Sequence, residues 1–448
     1  MNKGLGLLLD LYELTMAQGY WKSGMDRTEA VFHAYFRKNP YGGGCAVACG
    51  LGPAAEFLVS FGFHDDDIAY LAGLPGSDGK PLFEPGFLDL LRGLRLECDV
   101  DGIPEGTAVS APEPLLRVRG PLLQCQLLET GLLNILNFQT LIATKASRVV
   151  LAAGGAPVLE FGLRRAQGMD GGLSASRAAY VGGCSATSNV LAGKRYGIPV
   201  RGTHAHSWVL AFEDERQAFE AYAENVPGDL VLLVDTYDAL QGVEHAIETG
   251  RRRGRLAGIR LDSGDLLSLS SQARRMLDEA GFRDAFIAAS NDLDEHEISR
   301  LRAQGAPIDF WGVGTRLVTG GGQPALGGVY KLSCLRGPGG EWRDVVKTAG
   351  EKTSYPGILQ VRRFPDRDLI YDLRRPPAQP GSEDLLVPVF RSGHRVMLTA
   401  SLRSIRERTL SQLASAPVSV EIEQSVKEAR HARNALSQVV ADHVRAPL

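Results

Sequence analysis

The side chains best suited to chemistry gather between Glu160 and Trp208. The stretch opens with Glu160-Phe-Gly-Leu-Arg-Arg-Ala-Gln-Gly168 and closes with Gly202-Thr-His-Ala-His-Ser-Trp208. It supplies an aromatic face at Phe161, guanidiniums at Arg164 and Arg165, and imidazoles at His204 and His206. That set suits a planar anionic substrate and a histidine acting as nucleophile or base. The two histidines stand two apart, whereas a zinc pair on a helix needs i and i+4, so the spacing argues against zinc.

Three later segments carry related chemistry. In Arg260-Leu-Asp-Ser-Gly-Asp265, Arg260 and Asp262 stand at i and i+2 and point to one side of a strand, an anion clamp beside a carboxylate able to hold a metal. Asp265 also fits a helix N-cap. In Leu233-Val-Asp-Thr-Tyr-Asp238, Asp235 ends a strand and is a candidate magnesium or hydroxyl ligand, while Asp238 reads as a cap. Trp311-Gly-Val-Gly-Thr-Arg316 runs on to Gly320-Gly-Gly322. Gly312, Gly314, Thr315, Gly321 and Gly322 there form a candidate phosphate cradle, with an ordinary turn as the alternative. Lys145 falls in a predicted helix and reads as a solvated or anion-facing lysine rather than a Schiff base.

Each segment follows an apolar strand, and the carboxyl ends of parallel strands are where α/β folds place their chemistry. The pattern predicts strands over 158–161, 198–201, 230–234, 256–261, 286–289, 308–311 and 328–332, with helices between them. Leu266, Leu269, Ala273, Met276 and Ala280 make one such helix face. This alternation predicts an α/β fold with a parallel βα barrel, complete or not. A doubly wound sheet stays open, because periodicity does not separate open from closed sheets. Residues 121–153 read as mostly helical. Before them come a helix over 9–21, a strand over 30–36 and antiparallel strands over 96–118. After the barrel come strands over 342–346 and 360–364, an exposed loop over 365–380 and helices over 402–413 and 422–439.

The chain has 448 residues, 44% apolar and 23% charged, with a net charge of −3. Such a balance gives no electrostatic case for nucleic acid or an anionic membrane. No apolar run approaches the roughly 18 residues a membrane span needs, and the apolar start lacks a cleavage site for a signal peptide. Six scattered cysteines without a Cys-x-x-Cys point to a reducing, cytoplasmic setting with no disulfides and no zinc.

Taken in order, the motifs resemble those of nicotinate phosphoribosyltransferases. They are Asp10-Leu-Tyr-Glu-Leu-Thr-Met16, Phe36-Arg-Lys-Asn-Pro-Tyr-Gly-Gly-Gly44, the two ends of the 160–208 stretch, Leu261-Asp-Ser-Gly-Asp265, Gly312-Val-Gly-Thr315 and Gly327-Gly-Val-Tyr-Lys331. The resemblance implies an irregular α/β barrel over 121–340. It also implies a second, α+β domain built from 1–120 and 341–448, and a homodimer with active sites at its interface. The implied reaction joins nicotinate to 5-phosphoribosyl-1-pyrophosphate in NAD salvage, with magnesium and with coupled ATP hydrolysis, which puts it in the ligase class. His206 matches the histidine that ATP phosphorylates; His204 falls at a variable position. Tyr12, expected from the partner subunit, and Phe161 match the aromatics that sandwich the pyridine ring. Arg164 and Thr203 match positions near the nicotinate carboxylate, and Arg260 and Asp262 match contacts to ribose and substrate. Gly312, Gly314, Thr315 and the Gly320–Gly322 turn match the 5-phosphate cradle. Ser188 stands where the nicotinamide-using relative has an acid, which favours nicotinate. Leu359 replaces a lysine of the family pattern, which implies a lost polyphosphate contact. The rival readings are a quinolinate or nicotinamide phosphoribosyltransferase and a catalytically impaired metabolite-binding homologue.

Overall fold

The structure, a computed structural model, describes residues 5–347, 354–378, 383–413 and 419–431. The chain divides into two compact units: Met1–Thr140 with Ala325–Ser401 and Ser411–Leu448, and Leu141–Pro324 with Leu402–Leu410. The divisions fall after residues 140 and 324, not at 120 and 340 as expected from sequence. The reason lies in the helix Glu129–Ala153. Leu132 and Leu136 pack into the core of the first unit, whereas Ala146, Val149 and Ala153 pack into that of the second. Helical periodicity shows which face is apolar, not which core receives it.

In the first unit the strand Glu29–Phe36 is buried along nearly its whole length. It needs a partner on each side, and it pairs antiparallel with Leu116–Pro121 and with Gly328–Arg336. Further strands extend this sheet to seven. Gly328–Arg336, expected in the parallel barrel, therefore belongs to the other unit; alternation identifies a strand but not the sheet it joins. The stretch 365–380, expected as an exposed loop, contains the strand Arg367–Asp372, largely buried and paired with Leu359–Arg363. Its charged residues misled the sequence reading because they end in ion pairs, as Asp368 does with Arg363 at 2.7 Å. Leu402–Leu413 is helical as expected, and most of the helix expected over 422–439 lies outside the described residues.

Leu359 is 3% exposed. Its N–H donates to His33 Nε2 at 3.1 Å and its carbonyl accepts from Arg117 at 2.7 Å. Burial, with Arg117 adding, pushes the His33 imidazole down to about 3, which keeps Nε2 free to accept.

Glu13, on the helix Leu11–Lys22, is fully buried. Its Oε1 accepts from the Thr130 N–H at 3.0 Å and from the Thr130 hydroxyl, and its Oε2 is buried without a partner. Burial pushes the carboxyl up to about 7; the Thr130 bonds pull it down and Glu129 and Asp10 push it up. A raised folded pKa means the folded protein holds a proton that the unfolded chain releases near the ordinary value of 4.5. Stability from this group is thus lost as pH rises through that window. A Glu13→Gln protein is expected to gain on the wild type between about pH 5 and about pH 8, by up to about 3 kcal/mol. Urea unfolding of both proteins at the two pH values reads the difference; an unchanged gap would remove Glu13 as its source.

The second unit holds a six-stranded, wholly parallel sheet. Its spatial order is Ala186–Thr187, Val158–Glu160, Phe310–Val313, Phe286–Ala289, Gly258–Leu261 and Val231–Leu233. The strand expected over 198–201 reduces to a parallel bridge between Thr187 and Val200. Helices return the chain between strands. Four of them start at an aspartate whose side chain accepts from the first-turn N–H groups: Asp214, Asp238, Asp265 and Asp294. Asp238 is a cap as expected, and Asp265 takes the cap alternative.

Candidate active site

Because the sheet is parallel, the carboxyl ends of its strands open on one side. Phe161 follows the strand Val158–Glu160. Glu160 is fully buried and anchors the turn, accepting from the Gly162 N–H, from the Ser176 hydroxyl at 2.8 Å and from the Thr187 hydroxyl at 2.6 Å. The Phe161 ring lies over Gly312, where a Cβ would come within 2.8 Å of it. Only glycine leaves that space. The Arg260 guanidinium sits 5.6 Å from the centroid of the same ring, within reach of a cation–π contact.

Arg260 and Asp262 do share a side of their strand. Arg260 Nη2 bonds Asp262 Oδ1 at 3.0 Å, Nη1 donates to the Thr203 hydroxyl at 3.1 Å, and Nε donates to the Ser290 hydroxyl at 2.9 Å. The Ser290 hydroxyl donates in turn to Asp262 Oδ1. Burial alone would raise the Asp262 carboxyl; Arg260, the Ser290 hydroxyl and His206 outweigh it and hold the group below the ordinary carboxylate range. Asp262 is therefore an anion at neutral pH. Behind it, Asp235 Oδ2 accepts from the Asp262 N–H at 2.6 Å and from the Ser263 hydroxyl at 2.7 Å, while Asp235 Oδ1 is buried without a partner.

The two histidines separate by environment. His206 opens the short helix His206–Leu210; its Nδ1 lies 3.1 Å from Thr236 Oγ1 and its Nε2 3.7 Å from Asp262 Oδ2. His204 is buried, and its Nε2 accepts from the Leu233 N–H at 3.1 Å. Burial pushes its imidazole down to about 4. His204 is thus a neutral fastener on the strand Val231–Leu233, and His206 is the imidazole left available for chemistry.

These groups line a cleft of about 430 Å³ that Phe161, Thr203, His206, Arg260 and Asp262 share with Arg164 and Ser188. Of the remaining residues singled out from sequence, Tyr12 belongs to the first unit and is 45% exposed. Gly312 backs the Phe161 ring, and Gly314 precedes the helix Thr315–Val318. Gly321 packs against Arg316, where a Cβ would lie 2.8 Å from the carbonyl oxygen, and Gly322 has a φ of +86°. None of these glycines, nor Thr315, lines the cleft. Ser290 and Thr236 were not foreseen. Ser290 ends the strand Phe286–Ala289 and Thr236 follows Asp235, so the same rule of strand ends was there to find them.

Residues 7–137 match the model of the family described as nicotinate phosphoribosyltransferase (NAPRTase) N-terminal domain. The chain is 49% identical over 369 residues to the nicotinate phosphoribosyltransferase of Bacillus subtilis, covering 81% of this chain and 74% of that protein. It is 42% identical over 417 residues to a Mycobacterium tuberculosis protein of the same name, covering 92% and 87%. The chain belongs to the nicotinate phosphoribosyltransferase family. The crystal structure of the human nicotinic acid phosphoribosyltransferase superposes with a TM-score of 0.81 at 31% identity, covering 94% of this chain and 99% of that one. The match to the N-terminal family model lies within the first unit. The cleft lies in the second, so the long alignments and the structural neighbour are what extend membership of the nicotinate phosphoribosyltransferase family over the site.

Proposed function

We propose that this chain makes nicotinate mononucleotide and pyrophosphate from nicotinate and 5-phosphoribosyl-1-pyrophosphate, with ATP hydrolysis coupled through a phosphohistidine at His206. The observation that carries the reading is one cleft in which an aromatic face, a guanidinium, an ionised carboxylate and an accessible imidazole converge. A pyridine ring stacks on Phe161 with its carboxylate toward Arg164 and Thr203, and Arg260 faces the ribose. Ser188 leaves no acid to repel that carboxylate. The ring nitrogen forms its bond to C1 of the ribose as the bond to pyrophosphate breaks, the electron pair leaving with the pyrophosphate. Positive charge grows at C1, and Asp262 is the anion placed to stabilise it. In the coupled step an imidazole nitrogen of His206 takes the γ-phosphoryl group, releasing ADP, and water later hydrolyses the labile P–N bond. Gly314, Thr315 and the Gly320–Gly322 turn are assigned to the 5-phosphate.

Among the described residues no group of three or more His, Cys, Asp or Glu side chains is arranged to hold a metal. Magnesium needs less, since it binds through one or two carboxylates, substrate phosphates and water. The unpartnered Asp235 Oδ1, with Asp262 beside it, fits such a site. Magnesium bound there would neutralise charge on the departing pyrophosphate.

The same reading includes closure of the sheet as an irregular barrel. The Thr187–Val200 bridge at one edge and the His204 bond to Leu233 at the other support it. It includes a homodimer in which Tyr12 of a second copy completes the ring sandwich. Exposed apolar side chains support that: Leu11 at 54%, Tyr12 at 45%, Val190 at 70% and Leu191 at 59%. No helix among the described residues is long and apolar enough to cross a membrane, and six cysteines outside any disulfide fit a cytoplasmic setting.

The test is turnover. Purified protein with nicotinate, phosphoribosyl pyrophosphate, magnesium and ATP is expected to form nicotinate mononucleotide, and a His206→Ala protein is expected to lose the ATP stimulation. Equal stimulation in both would take His206 out of the coupling step. No product from the wild type would overturn the function itself.

A further inference from the structure

Ser290 is 5% exposed at the carboxyl end of the strand Phe286–Ala289. Its N–H bonds the Leu261 carbonyl at 2.9 Å, which ties it to the strand that carries Arg260 and Asp262. Its hydroxyl accepts from Arg260 Nε at 2.9 Å and donates to Asp262 Oδ1, and those two residues bond each other at 3.0 Å. The three side chains therefore close a ring of hydrogen bonds. A guanidinium and a carboxylate pair in several geometries. A hydroxyl engaging Nε of one and Oδ1 of the other selects a single geometry, and it points the remaining Arg260 nitrogen, Nη1, at Thr203.

The chain beyond Ser290 shows how the hydroxyl is held there. Asn291 and Asp292 have φ angles of +106° and +42°. Consecutive non-glycine residues in this region persist only where their surroundings over-determine them, and such residues collect at functional sites. The surroundings here are firm. Asp294 caps the next helix, accepting from the N–H groups of His296 and Glu297 at 3.0 Å. Buried Glu295 then binds Lys145 Nζ at 2.6 Å and Arg148 Nε at 2.9 Å. Buried Lys145 therefore faces an anion, the Glu295 carboxylate, and not solvent, and it fastens the turn.

We propose that Ser290 is a positioning residue of the active site: its hydroxyl sets the orientation of Arg260 and Asp262 toward the substrate, and the clamp of Glu295 on Lys145 and Arg148 fixes the turn that presents it. The assignment rests on the phosphoribosyl-transfer reading above.

The experiment compares wild type, Ser290→Ala and Ser290→Thr in steady-state turnover, with crystal structures of wild type and Ser290→Ala. Removing one hydrogen bond to charged groups is expected to lower kcat/KM by about 10- to 100-fold, mostly in kcat, because the residue orients groups rather than binding nicotinate. Ser290→Thr keeps the hydroxyl and is expected to restore turnover to within about threefold of wild type. A purely structural role would not place the loss mostly in kcat. In the crystal structure of Ser290→Ala, Arg260 and Asp262 are expected to leave their wild-type rotamers. Both side chains unmoved, with kcat/KM within about twofold of wild type, would overturn the proposal. A wild type without turnover would overturn the functional reading, and the pair of structures would still decide the positioning role.

Discussion

An Asp262→Asn protein is expected to lose turnover by about 10²- to 10³-fold in kcat/KM while keeping its fold, the scale seen when one preorganised electrostatic contact to a transition state is removed. Among the described residues that line the cleft, Asp262 is the one carboxylate, and it faces both the imidazole and a guanidinium. Its Oδ1 receives Arg260 and Ser290, and its Oδ2 lies 3.7 Å from His206 Nε2. Asparagine has the same shape but no charge, and it turns an NH2 toward one of these donors. The developing cation at C1 then loses its counter-charge, and Arg260 loses the partner that orients it. The stability change is expected to be small, because the Asp262 side chain is 27% exposed and the network opens to solvent. Steady-state kinetics with phosphoribosyl pyrophosphate as the varied substrate, beside a thermal melt, checks both parts. Retention of more than about a tenth of wild-type kcat/KM would remove Asp262 from the reacting centre.

Much of this site was legible in the sequence because the residues that touch substrate sit where a strand gives way to polar residues. Arg260 and Asp262 share a face by their spacing, and Phe161 and His206 lie in segments with no other evident purpose. The supporting residues were not legible. Nothing in Ala288-Ala-Ser290 separates a serine that closes a hydrogen-bond ring from one that ends a strand. His204 and His206 are equivalent on paper; the Leu233 N–H and burial make one a fastener, and both depend on a strand 29 residues further on. The same limit applies to the fold. The strands of the parallel sheet were found with their helices, since each returns to a neighbour through a local unit. Gly328–Arg336 was assigned to the wrong sheet because its partner Glu29–Phe36 lies near the other end of the chain. Arg367–Asp372 was missed because its charges are neutralised only by residues it meets after folding.

Leu359, where the chain departs from the family pattern, leads to the second large effect. Read from sequence, a leucine in place of lysine meant a lost contact to polyphosphate. In the structure its backbone is held by His33 and Arg117 and its side chain is in the core, so the substitution belongs to packing. Arg117 is itself buried, and it holds Leu359 only because Asp101 neutralises it. Asp101 Oδ2 accepts from Arg117 Nη2 at 2.8 Å and Nε at 3.3 Å, and Oδ1 accepts from Arg391 at 2.6 Å. Both side chains of the Arg117–Asp101 pair are under a tenth exposed. An Asp101→Ala protein is expected to lose about 3–5 kcal/mol of stability, because it leaves a guanidinium buried without its counter-charge. Arg117→Met in the same background removes that stranded charge and is expected to recover part of the loss. Urea unfolding of the two single variants and the double variant measures the coupling directly. A loss below about 1 kcal/mol in Asp101→Ala would mean that Arg117 reaches solvent on its own, and that the Leu359 strand does not depend on the pair.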